Sequence, residues 1–179
     1  MSILRFLGFG GDEASSNTHS SDSETVRRIV KELEAMDRDK ARYLAAFAYV
    51  LSRVANADLD ISDMEIKKME ELVTRFGRLT EEHAVLVVQI AKSQTLLFGA
   101  TEDFVVTREF KEMATHEQRK ELLHCLFAVS AADDSISSAE EEMIRRISDE
   151  LGFDHDEYIN IRSGYNHLRD VMKNLPGSS

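Results

Sequence analysis

The chain has little of what interrupts a helix. Its 179 residues include one proline, Pro176, and eight glycines. An all-β sandwich needs more turn residues than that. A single cysteine, Cys125, cannot form an internal disulfide. No group of cysteines and histidines has zinc-site spacing, and a reducing cytoplasm is the compartment these absences imply. No apolar run is long enough to span a bilayer. Cations are in deficit. Twenty-two Lys and Arg against 33 Asp and Glu leave a net charge of −11. That sign argues against a nucleic-acid face, which must meet phosphates with positive charge. It argues equally against capture by anionic lipid. Glycine-rich phosphate loops and nucleophile elbows are missing. Glu121 and His124 stand three apart, but a di-iron bundle needs a second such pair and the chain has none. The remaining histidines form no H-E-x-x-H motif. No enzyme class finds its machinery here.

What is present is helical. Hydrophobic residues make up 42% and charged residues 31%, proportions of a globular domain. Residues 1–9 are apolar with Arg5 as their one cation and no small-residue cleavage site, so they make a poor signal peptide. They read either as a frayed end or as a short contact with a membrane or partner. Gly8 to Ser23, rich in Gly, Ser, Asp and Asn, reads as a flexible linker, and a flexible N-terminal tail is expected over 1–21. A single helical domain is expected over 22–174, with 175–179 as a C-terminal tail. Eight helices follow from apolar periodicity and start signals. They begin near Asp22, Asp37, Ser62, Thr80, Thr101, Thr115, Ser137 and Asp154. Ser62 with Glu65, Thr115 with Gln118 and Ser137 with Glu140 have capping-box spacing. Gly77 is expected to stop the third helix. The fourth is expected to reach Phe98, with the apolar run Ala84–Ala91 buried. Tyr158, Ile161, Tyr165, Leu168 and Met172 predict one continuous last helix.

A shift of 75 residues superimposes the second and third helices on the sixth and seventh. Val54, Ala57, Asp58, Ile61, Ser62 and Glu65 fall on Val129, Ala132, Asp133, Ile136, Ser137 and Glu140, each pair identical. Gly77 falls on Gly152. Two similar helical hairpins packed as halves of one all-α bundle are the expected fold. Each hairpin carries the pattern A-D-x-x-I-S-x-x-E. Its acidic residues, Asp58, Asp60 and Glu65 in one copy and Asp133, Asp134 and Glu140 in the other, have two readings. Carboxylates in a loop suit a hard cation such as calcium, magnesium or manganese. They equally suit helix caps and loop amides. The EF-hand pattern is not met, since Asp63 and Ser138 stand where it needs glycine, and Met69 and Ile144 where it needs glutamate.

The doubled pattern resembles the TerB-like superfamily over roughly residues 22–174. The resemblance implies an all-helical module linked to tellurite and stress resistance, without established catalysis. Metal binding has been proposed for some members, which would place a cation at Asp58, Glu65, Asp133 and Glu140. Members often carry glycine after the motif aspartate, where this chain has Leu59 and Asp134. The family also includes part of a membrane-anchored co-chaperone. That implies the alternative of a protein-interaction scaffold whose acidic loops are structural. A protein partner is expected on either reading.

Overall fold

A computed structural model describes residues 20–55, 63–93 and 103–169. Its helices are α1 (Ser20–Ala35), α2 (Arg38–Val54), α3 (Asp63–Gly77), α4 (Glu81–Lys92), α5 (Asp103–Met113), α6 (His116–Ser130), α7 (Ser138–Leu151) and α8 (His155–Ser163). Short 3₁₀ turns at Ala131–Asp133 and Asn166–Leu168 follow α6 and α8. The chain is an all-α bundle.

Helix α2 forms its axis. Alanines at 41, 45, 46 and 48 let neighbours approach closely, while Leu44, Phe47, Val50, Leu51 and Val54 fill the space between them. A helix apolar around most of its circumference must be surrounded. Accordingly α1, α4, α5, α6 and α7 all pack against it. The run from Ala84 to Ala91 forms a buried helix, as its length and neighbours predict. Helix α3 lies on α6, so the two hairpins, α2–α3 and α6–α7, interlock across the core. Phe47, Phe110 and Tyr43 cluster at one end of that core in tilted and edge-to-face contacts. Phe127, Tyr158 and Tyr165 stack at the other.

Starts are set locally. Thr115–Gln118 and Ser137–Glu140 form complete capping boxes, and Asp154–Glu157 forms a third. Asp37 and Thr80 cap α2 and α4. The box expected at Ser62 lies outside the described residues, whereas α4 ends at Lys92 with Ser93 as its C-cap, short of the end expected at Phe98.

Two further expectations need correction. The last helix does not run on. It ends at Ser163, and the chain turns through Gly164 and Tyr165 into the second 3₁₀ turn. The Leu168 carbonyl thereby accepts the Ile136 N–H at 2.8 Å, and Ile136 and Arg169 pair as an isolated parallel bridge. The buried Ile136 loop thus gains a backbone partner that a continuing helix could not offer. Tyr165 and Leu168 still pack on the core. Second, α3 does end at Gly77, but the glycine is not its left-handed residue. The positive φ belongs to Arg78, at 49°. Gly77 is instead the buried end of α3, and a Cβ there would stand 2.9 Å from Cζ of Phe47. Its repeat mate Gly152 does take the left-handed cap, at φ 82°.

Candidate functional site

The second acidic loop joins α6 to α7. After Ser130 the chain tightens into the 3₁₀ turn, and Asp133 folds its carboxylate back on the loop. Its Oδ1 accepts the Ser135 N–H at 3.2 Å and the Ser135 hydroxyl at 3.3 Å. Asp134 follows at φ 66°. This is the left-handed conformation that glycine adopts most easily and aspartate tolerates better than most residues. The geometry expected of a glycine is therefore kept. Ile136 plugs the core with 1% of its surface exposed. Glu140 closes the loop. Its Oε2 accepts the Ser137 N–H at 2.9 Å and the Ser137 hydroxyl at 2.7 Å, while the Glu140 N–H donates to Ser137 Oγ at 3.2 Å. From the other hairpin, the Lys68 ammonium donates to the Ala132 carbonyl.

Of the first loop, Asp58 and Asp60 lie outside the described residues. Glu65 stands exposed in the first turn of α3. Asp133 and Asp134 are also exposed. Among the described residues, no three His, Cys, Asp or Glu side chains are grouped so as to hold a metal ion.

Two ionic nodes escaped the sequence reading. Arg53, its side chain 6% exposed, reaches from α2 to Glu150 on α7 at 2.5 Å, to Thr107 Oγ1 on α5 at 2.7 Å and to Asp103 at 3.6 Å. Glu141 is largely covered and joins two arginines. Arg169 Nε donates to it at 2.8 Å and Arg162 Nη1 at 3.2 Å. This pairing ties the C-terminal turn to α7. The signal was available, since Glu141 shares a three-four-three stripe with the buried Ile144, Ser148 and Leu151.

The Glu121–His124 pair faces a shallow cleft of about 510 Å³ between α3, α6 and α8. Glu121 pairs with Arg78 at 3.4 Å. The Tyr165 hydroxyl donates to the His124 carbonyl at 3.2 Å and lies 3.4 Å from its Nδ1. Burial pushes the Glu121 carboxyl up and the His124 imidazole down, disfavouring charge on both. Neighbouring Cys125 is fully buried and its thiol is raised to about 12 by burial, which leaves it unreactive.

The doubled hairpin with its capped acidic loop is the distinguishing feature of the chain, and a family model described as tellurite resistance protein TerB matches it over residues 43–163. The chain belongs to the TerB family. The TerB match covers most of α2 and everything from there to the end of α8, hence both hairpins; α1 lies outside it. Searches of curated proteins and of solved structures returned no match. Among the described residues, no helix of this TerB protein is long and apolar enough to cross a membrane.

Proposed function

We propose that the chain is a non-catalytic TerB module of a cytoplasmic stress response that works by binding a protein partner, with its acidic loops as structural turns. The observation that carries this reading is the use of the carboxylates. Asp133 serves Ser135 and Glu140 serves Ser137, so a cation would have to compete with bonds that hold the loop and start α7. The second reading is a calcium, magnesium or manganese site at the paired loops. It draws on the exposure of Asp133 and Asp134 side by side.

Thermal unfolding of EDTA-stripped protein, titrated with each of the three ions, separates them. A cation at about 100 times its Kd adds about 2.7 kcal/mol, several degrees for a chain of this size. The expected result is no ion-dependent rise, with Asp133→Asn and Glu140→Gln destabilised whether or not ions are present. A concentration-dependent rise that vanishes in Asp58→Asn and Asp133→Asn would replace the structural reading with the cation site.

A further inference from the structure

A further hollow lies apart from the acidic loop and shares Arg75 with the Glu121 cleft. It measures about 1080 Å³ and runs between the C-terminal end of α1, the outer face of α3 and the first turns of α4. Its floor is apolar. Met36 and Val85 are half-buried there, beside Leu86, which is nearly covered. Its walls are acidic. Glu32 comes from α1, Glu70 and Glu71 from α3, Glu81 and Glu82 from α4. Against these five carboxylates stand Lys67 and Arg75, and the Arg75 guanidinium lies over the Phe76 ring. His83 also lines the hollow, where burial and then the Lys40 charge disfavour its protonation. No salt bridge joins any of the five glutamates to another described residue.

Three helices bring five carboxylates, against the two cations Lys67 and Arg75, to the rim of one trough with an apolar floor. We infer that this groove docks a cationic amphipathic helix of a partner protein. The inference rests on the reading above that the chain works by binding a partner. Size fits the occupant. Two turns of helix, about 11 Å long and 10–12 Å across, fill on the order of 10³ Å³. Chemistry fits too. Apolar side chains three and four apart would sit on Met36, Val85 and Leu86, and Lys or Arg on the flanks would meet the glutamates. One wall is α1, which lies outside the residues the TerB model matches.

The test uses the full chain and a fluorescein-labelled 14-residue peptide with leucine on one helical face and lysine on the other, read by fluorescence anisotropy. A matching peptide with glutamate in place of lysine is the counterpart. Saturable one-to-one binding of the lysine peptide is expected, weakening as salt rises. Glu70→Lys with Glu71→Lys should weaken it at least tenfold and admit the glutamate peptide instead. Glu142→Lys with Asp149→Lys, the same charge change on α7, should leave it unaltered. Circular dichroism and the urea midpoint confirm that both variants fold. Equal loss in the two double variants would overturn the groove, because general acidity alone would then explain the binding. Absence of saturable binding would overturn it as well. So would displacement of the peptide by a second copy of the chain, or a tighter fit once residues 1–9 are deleted, since each names a different occupant. A failed peptide with a flat ion titration removes the groove and leaves the binding-module reading. An ion-dependent rise lost in Asp133→Asn removes that reading itself.

Discussion

Arg53 brings a full charge into the bundle, where only its partners make it tolerable. Glu150, Asp103 and Thr107 gather it from two helices. Removing one member of a covered pair strands the other, which costs more than the pair contributes. Glu150→Ala should therefore lose about 2–3 kcal/mol, Asp103 compensating in part. Arg53→Met should lose less, because the remaining Glu150 turns to water more readily than Arg53 can. Urea denaturation with unchanged m-values checks the order of the two. His124 supplies a pH dependence. Burial, and then Lys120, lower its folded-state pKa, with Glu117 opposing. The unfolded chain thus takes up a proton near pH 6.5 that the folded chain still refuses. Where the unfolded state binds more protons, stability rises with pH, so acidification through this window destabilises. His83 is lowered as well and acts in the same direction. Glu121, raised by burial, acts oppositely at the acid end. His124→Gln should accordingly reduce, without abolishing, the stability lost between pH 7.5 and 5.5, read from urea midpoints at each pH.

At the scale of elements, the loop and its caps set what a substitution costs. Asp134 sits at φ 66°. Replacing it by glycine or by alanine removes the same carboxylate, so their difference isolates the backbone. A left-handed residue with a Cβ costs roughly 1–2 kcal/mol. Asp134→Gly should thus be more stable than Asp134→Ala by about 1 kcal/mol, measured by thermal unfolding of both. These caps were legible in the sequence because a capping box is a contact across three residues. The repeat was legible for the same reason, since Asp133, Ile136, Ser137 and Glu140 act within one loop. What was not legible depends on distant partners. Gly77 and Gly152 are equivalent in sequence, yet Phe47 from α2 fixes the role of the first and φ the role of the second. The end of α8 answers to Ile136, nearly thirty residues upstream, whose N–H takes the Leu168 carbonyl. The glutamates at the groove stand on three separate helices, and only the bundle brings them to one rim.

At the scale of the molecule, cohesion is uneven, and α1 is one of its weakly held members. Helix α2 is enclosed by five neighbours, and α3 and α6 lock the hairpins together. Helix α1 touches α2 and α4 along one face. Ile29 and Leu33 are its fully buried anchors, with Val26 and Val30 half-covered beside them. Arg28 adds a hydrogen bond to Gln89 at 3.3 Å on the surface. Those two aliphatic side chains are little apolar burial for a helix of 16 residues, each of which must be held in order. The balance favours local opening of α1 well below the energy of global unfolding. Native-state hydrogen exchange should therefore show α1 amides exchanging ahead of those in α2 and α6, at denaturant concentrations where the bundle is intact. Leu33→Ala should speed exchange in α1 alone and leave α6 unaltered. Uniform exchange across α1, α2 and α6 would instead make α1 an integral part of one cooperative unit. The outcome bears on the groove, whose α1 wall carries Glu32 and leads into Met36. A helix that opens independently gives the trough an adjustable side. A bound amphipathic helix should then slow α1 exchange selectively, because it would close the groove against α1 while leaving the hairpin core untouched.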